Sequence, residues 1–222
     1  AIVDDDYLIF TPARDYKRAL DGDVGPNTGG MGAVASRHLV TPELLARIEK
    51  EIVRPTVDGL RGEGLPYRGF LYFGLMLTPT GPQVIEYNCR FGDPECQAVM
   101  PLVEGDLAGF CLAGAQGQLR ADLIRFSEGW SVCVVLASAG YPESSRNGDA
   151  ISGLETISTA RVYHSGTRRS TEGAWETHGG RVLAVVAGGD CRETAVSAAH
   201  AAADRIAFDG MQRRRDIGLL NF

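Results

Sequence analysis

Two apolar, β-prone runs, residues 70–77 and 83–89, flank the turn sequence Thr78-Pro79-Thr80-Gly81-Pro82, and a β-hairpin accounts for all three. If the turn sets the register symmetrically, Gly74 lies across from Glu86 and Tyr72 across from Asn88. A glycine opposite Glu86 leaves room where a ligand would need it. Side chains alternate along a strand, so Glu86, Asn88 and Arg90 share one face while Ile85, Tyr87, Cys89 and Phe91 share the other. Successive members of a face stand about 6.6–7 Å apart. The apolar face is expected to lie in a core, Cys89 with it, leaving the polar face in need of partners of its own.

A carboxylate, a carboxamide and a guanidinium in one row suit a cation that carries phosphate. Magnesium takes oxygen ligands from one or two carboxylates and completes its shell with water and substrate phosphates. Glu86 would supply charge, Asn88 a neutral oxygen, and Arg90 an anion clamp. Taken alone, E-x-N-x-R is also an ordinary solvated strand face. The segment directly after the row changes its weight: Phe91-Gly92-Asp93-Pro94-Glu95 turns straight into a helix whose first N–H groups are expected at the end of the row. Asp93 reads equally well as that helix's N-cap and as a ligand contact.

A second feature is the run Asp21-Gly22-Asp23-Val24-Gly25-Pro26-Asn27-Thr28-Gly29-Gly30-Met31-Gly32, too rich in glycine for a helix or a central strand. Its backbone N–H groups are expected to approach an anion closely, and Arg14, Asp15, Lys17 and Arg18 stand just before it. It matches neither the P-loop nor the dinucleotide-binding pattern. An ordered surface loop with solvated charges is the plainer alternative. The triple arginine at 213–215 reads in the same two ways, as a reach toward substrate phosphate or as a solvated cluster, and the cluster is preferred.

Composition limits the partners. A net charge of -6 over 222 residues argues against general affinity for nucleic acid. Five cysteines without a C-x-x-C pair suit a reduced, cytoplasmic compartment, and the four histidines lack metal-ligand spacing. No apolar run approaches the length of a membrane span. The opening Ala1-Ile2-Val3 reads like the middle of a strand, so upstream sequence is expected.

Glycine, proline and charge punctuate the first half densely, whereas residues 132–137 and 181–187 are Val-rich strands. The polar stretch 116–128 marks a boundary, giving domains 1–120 and 121–222. Helices are expected after Thr41 (with Leu44, Leu45, Ile48 and Ile52 on one face), after Asp93, after Asp106, and after Asp190, the last closed by Gly210.

Several ordered motifs resemble the glycinamide ribonucleotide synthetase (phosphoribosylamine–glycine ligase) family. They are Asp15-Tyr16-Lys17-Arg18-Ala19, the glycine run through Ala33, and 84–95 in full. Further on come Ala139-Gly140-Tyr141-Pro142, 162–167, Gly179-Gly180-Arg181-Val182-Leu183, Phe208-Asp209-Gly210-Met211 and 214–218. The resemblance covers nearly the whole chain. It implies an α+β fold: the C-terminal portion of an ATP-grasp domain, an antiparallel sheet with helices, followed by a small β-rich domain. It implies joining of glycine to 5-phosphoribosylamine through glycyl phosphate, with ATP consumed. It also implies Glu86 and Asn88 as ligands of magnesium (or manganese), and Arg90 as a catalytic residue near the transferring phosphate. Asp15, Lys17, Arg18, Asn27, Thr28, Gly29, Gly30 and Asp93 would border the substrate or phosphate site. The family's N-terminal half would be a partner that this chain lacks, so the isolated chain is expected to be inactive. A carboxylase of the biotin-carboxylase type would share E-x-N-x-R, but the glycine run and the Phe-Asp-Gly-Met ending tell against it. A non-catalytic binding or assembly domain is the other alternative.

Overall fold

The Val-rich runs pair with each other. In the computed structural model, which describes residues 1–4 and 6–219, strands Trp130–Ala137 and Arg181–Gly189 run antiparallel from Trp130↔Gly189 to Leu136↔Leu183. Val132, Val134, Leu136, Val182, Leu183 and Val185 are fully buried, as expected of inner strands covered on both faces. Each such side chain contributes about 1.5–3 kcal/mol of burial free energy. The complete sheet has five antiparallel strands, in the order Arg161–His164, Arg181–Gly189, Trp130–Ala137, Gly32–Ala35, Ala13–Asp15.

The end of the glycine run is therefore an inner strand, contrary to the expectation from its composition. Gly32 shows why. A Cβ there would stand 2.6 Å from the Cys133 carbonyl oxygen and 2.9 Å from the Ile217 side chain, so only glycine lets the strands close. The start of the run is also paired, since Arg18–Leu20 and Val24–Asn27 form a short hairpin.

Helix Arg192–Ala203 lies against the sheet through Ala195, Ala199, Ala202 and Ala203, small side chains that permit a close approach. Its N-cap is Cys191, not Asp190, and no side chain caps it. It ends at Asp204, well before Gly210, which sits in a later turn with φ 64.

Two compact units interleave along the chain. One comprises Ala1–Pro12, Arg37–Gly92 and Val103–Ser127; the other comprises Ala13–Ser36, Asp93–Leu102 and Glu128–Phe222. The texture of the sequence suggests a single cut at 120/121, but pairing of Gly32–Ala35 with Trp130–Ala137 draws an early segment into the later unit. The first unit holds the hairpin Tyr72–Thr78 and Gly81–Asn88, together with a long helical stretch. Thr41 caps that stretch as expected, its hydroxyl accepting from the Leu44 N–H at 3.2 Å. The helix runs on past Ile52 to Gly62. Pro55 has no N–H for the preceding turn, and the π-turn Glu49–Val53 falls where that bond is missing. Asp106 likewise caps Leu107–Ala115. Phe10 gathers Phe70, Phe91, Phe110 and Phe126 at centroid distances of 5.1–6.0 Å, the aromatic core of this unit.

Candidate active site

Within the first unit the hairpin has the expected register, Tyr72↔Asn88 and Gly74↔Glu86. It reaches it by another route. The turn holds only Pro79 and Thr80, and a bulge after Gly74 makes up the difference. A Cβ on Gly74 would lie 2.7 Å from the Glu86 Cγ, so the space opposite the carboxylate depends on glycine. Glu86 and Asn88 are half-buried on the same face, and Arg90 is exposed, its Nη1 donating to the Phe91 carbonyl at 2.7 Å. The Phe91 ring stacks on Phe70 at 4.2 Å and fixes the end of the row. Among the described residues no group of three or more His, Cys, Asp or Glu side chains could hold a metal alone. One carboxylate and one amide oxygen are an incomplete donor set. Such a set fits magnesium, whose shell is finished by phosphate and water.

The opposite face is not in a core. Ile85 is 58% exposed, Tyr87 47%, and Leu77 on the partner strand 56%. Cys89 is exposed as well. Each strand of a two-stranded ribbon pairs on one side only, and among the described residues this face stays largely open.

The remaining candidates all belong to the second unit. Asp15 ends its strand with Lys17 Nζ 3.9 Å from its Oδ2. The Arg18 guanidinium donates to the Gly25 carbonyl at 2.7 Å and so braces its own hairpin, with Asn27 opposite it. The glycine loop is no open nest of amides. The N–H groups of Thr28, Gly29, Gly30 and Met31 already donate to Lys17 O, Tyr141 Oη, Thr28 Oγ1 and Tyr16 O. An anion at this loop would meet side chains rather than free backbone N–H groups. Asp93 is not a helix cap either. Pro94 holds that position before the short helix Glu95–Val99, and the Asp93 carboxylate accepts from Arg181 Nη2 at 3.0 Å and Gln97 Nε2 at 2.9 Å.

Asp15 carries the strongest electrostatic signature among these residues. Its Oδ1 is buried without a hydrogen-bond partner. Burial pushes its carboxyl up to about 7 and the Glu95 carboxylate adds to the effect, against the pull of Lys17, the Tyr16 N–H and Arg181. The folded chain therefore holds a proton that the unfolded chain releases near 3.8. The stability this proton contributes is fully present below that value and is lost as pH rises toward about 7. Each tenfold difference in proton affinity is worth about 1.4 kcal/mol. Asp15→Asn should flatten this dependence, so that the variant gains on the wild type between pH 5 and 7.5 in thermal melts. Parallel curves would count against the assignment.

Three functional candidates are not apparent from local sequence. Arg181 and Tyr141 were visible only as parts of family-like motifs. Yet Arg181 Nη1 donates to the carbonyls of Gly29 at 2.7 Å and Asp93 at 2.8 Å, contacts no local pattern could reveal. The arginine triplet is not a solvated cluster. Arg214 is completely buried and forks onto Asp216 at 2.7 Å and Asp23 at 2.9 Å, while Arg213 pairs with Asp204. Only Arg215 faces solvent.

Residues 1–96 match the phosphoribosylglycinamide synthetase ATP-grasp (A) domain, and residues 131–220 match the C domain of the same synthetase. A phosphoribosylamine–glycine ligase of Chlorobaculum tepidum is 45% identical over 215 residues, covering 96% of this chain and 50% of that protein. The crystal structure of a phosphoribosylamine–glycine ligase from Thermotoga maritima superposes with a TM-score of 0.87 at 36% identity, over 97% of this chain and 53% of that one. A biotin carboxylase domain from Hydrogenobacter thermophilus shares the fold alone: TM-score 0.56 and 17% identity, over 83% of this chain and 40% of its own. The chain spans about half the length of the curated ligases it matches. With antiparallel sheets, helices and both domain signatures in order, the chain belongs to the phosphoribosylglycinamide synthetase family, carrying part of its ATP-grasp domain and its C domain.

Proposed function

We propose that this chain is the metal- and substrate-side part of a ligase that joins glycine to 5-phosphoribosylamine at the expense of ATP, within purine biosynthesis. The observation that carries the reading is the Glu86–Asn88 row facing Gly74, on a chain whose relatives are named for this reaction. In the first step a glycine carboxylate oxygen attacks the γ-phosphorus of ATP and ADP leaves, giving glycyl phosphate. In the second, the amine nitrogen attacks the acyl carbon, phosphate leaves, and the nitrogen gives up a proton. A divalent ion, magnesium or manganese, would neutralise phosphate charge when bound. Glu86 and Asn88 would hold it, and Arg90 would offset the charge gathering on the phosphoryl oxygens. Asp15, Lys17, Arg18, Asp93 and the loop 27–30 would line the substrate side. Glycine offers only its charged ends for recognition, so a small pocket with matched charges must select it.

The reaction belongs to the complete protein. The open apolar face of the hairpin, with Ile85, Tyr87 and Leu77 exposed, is where we place the packing of the family's N-terminal half. All five cysteines are free, which suits a cytoplasmic setting. ADP release by the complete enzyme, with glycine and phosphoribosylamine present, is the direct test. Dependence on bicarbonate instead of glycine would replace this reading with a carboxylase. The chain alone should release no ADP until the N-terminal part is added.

A further inference from the structure

Arg181 begins an inner strand, opposite Ala137, where its own carbonyl accepts from the Gly166 N–H at 2.9 Å. Its base is therefore fixed. Its guanidinium, 22% exposed, directs three hydrogen bonds to two segments far away in sequence: the Gly29 carbonyl, and the carbonyl and carboxylate of Asp93. Backbone carbonyls are main-chain fixtures, so these bonds set where the chain runs rather than what it displays.

The surrounding glycines fit this arrangement. A Cβ on Gly29 would stand 3.0 Å from the Arg181 Cζ, and one on Gly30 would stand 2.4 Å from the Pro94 Cδ and 2.9 Å from the Asp15 Oδ1. The loop thus lies directly on the guanidinium, on Pro94 and on the Asp15 carboxylate, and a shift of any one disturbs the others. Tyr141 supplies a second point of attachment, its hydroxyl accepting from the Gly29 N–H at 3.0 Å. Its ring sits over Gly180, where a Cβ would lie 2.5 Å from Cδ2. The dipeptide Gly180-Arg181 seats both members, the glycine by making room and the arginine by reaching out.

We propose that Arg181 and Tyr141 are positioning residues that lock the glycine loop 27–32 to the Asp93–Pro94 turn, holding Asp15 and Asp93 in the one arrangement that receives the small substrates. The inference rests on the proposed ligase reading for its kinetic consequence, but not for the clamp itself. Arg181 also balances charge here, since Asp15, Asp93 and Glu95 place three carboxylates in this unit with Lys17 as the other nearby cation.

Kinetics of the complete enzyme with Arg181→Met, Arg181→Lys and Tyr141→Phe test the consequence. KM for glycine or phosphoribosylamine should rise about 10- to 100-fold in Arg181→Met, the scale on which small misplacements act. KM for ATP should stay within about twofold, because the row that would hold its phosphates lies on other residues. Arg181→Lys should recover part of the loss, and Tyr141→Phe should move the same constants less. A fall in kcat with every KM unchanged, or a parallel rise for ATP, would overturn the positioning role. Amide hydrogen exchange on this chain tests the clamp independently of activity. The Gly29 N–H should be protected in the wild type and exchange at least about tenfold faster in Tyr141→Phe, the effect of losing one modest hydrogen bond. Equal exchange in both would overturn the clamp even if the wild-type enzyme makes the expected product. Failure of the wild-type enzyme to use glycine, with the exchange difference intact, would instead count against the ligase reading alone.

Discussion

Glu86→Gln in the complete enzyme should reduce turnover by more than about 100-fold under the proposed role of Glu86 as a metal ligand, because even the outer partners of such a ligand are worth 10–100-fold. The substitution keeps the size of the side chain and its place opposite Gly74, and removes only the charge. Glu86 is the one carboxylate of the row, so no neighbour on that face can take over its charge. The loss should be accompanied by a higher metal requirement, read from ADP release against magnesium concentration. Asn88→Ala should act in the same direction and less strongly, since a neutral oxygen contributes less to a divalent ion than an anionic one. A Glu86→Gln enzyme with an unaltered magnesium titration would take this residue out of the mechanism.

Arg214→Met should destabilise the fold by about 3 kcal/mol, the lower end of the range for breaking a buried ion pair. The lower end applies because Asp23 is 54% exposed and can rehydrate, whereas Asp216 is only 15% exposed and cannot do so fully. At about 2–4 °C per kcal/mol, the melting temperature should fall by roughly 6–12 °C. Arg214 is completely buried, also bonds the Arg18 carbonyl at 3.2 Å, and stands 5.1 Å from the centre of the Tyr16 ring. Neighbouring bonds depend on the same place: the Gly22 N–H donates to Asp216 and the Arg215 N–H to Asp21. Lysine keeps the charge but not the fork, so Arg214→Lys should recover only part of the loss.

Acid titration separates this account from simple loss of packing. Burial works against the Asp216 carboxylate, yet the bonds from Arg214 and the Gly22 N–H hold it below the usual carboxylate range. Its contribution is present above the unfolded carboxylate's range and disappears as pH falls through the lowered value. The wild type and Arg214→Met should therefore converge in stability in acid. A gap of constant size from pH 7 to pH 3 would mean that lost packing alone explains the variant.

What could be read from the sequence was mostly local. Thr41 and Asp106 announce helices because an N-cap needs only its own next turn. The pairing of Glu86 with Gly74 follows from strand alternation and a turn a few residues away, although a tighter turn and a bulge had to offset each other. Asp93 and Asp190 look like the same kind of cap and are not. Asp93 is claimed by Arg181 from a distant strand, and Cys191 occupies the cap position beside Asp190. Burial departs from the sequence pattern in both directions. Alternation at Ile85 and Tyr87 says which face a side chain takes, but not whether anything covers it. A basic triplet looks solvated until Asp23, from the far end of the chain, joins the adjacent Asp216 on its buried middle member. The site residues followed the same division: row membership is a matter of spacing, whereas the bonds that occupy the loop's amides come from Tyr141, Lys17 and Tyr16 through the fold.

The sheet order carries a consequence for biogenesis. Strand Gly32–Ala35, which carries Ala13–Asp15 on its other edge, is synthesised well before its second lateral partner, Trp130–Ala137. The glycine loop between Ala13–Asp15 and Gly32–Ala35 thus waits for distant chain to complete its sheet. A nascent or cleaved piece ending before that partner would leave it unmoored, and a downstream piece beginning at residue 121 would bare a Val-rich flank ready to stick to its neighbours.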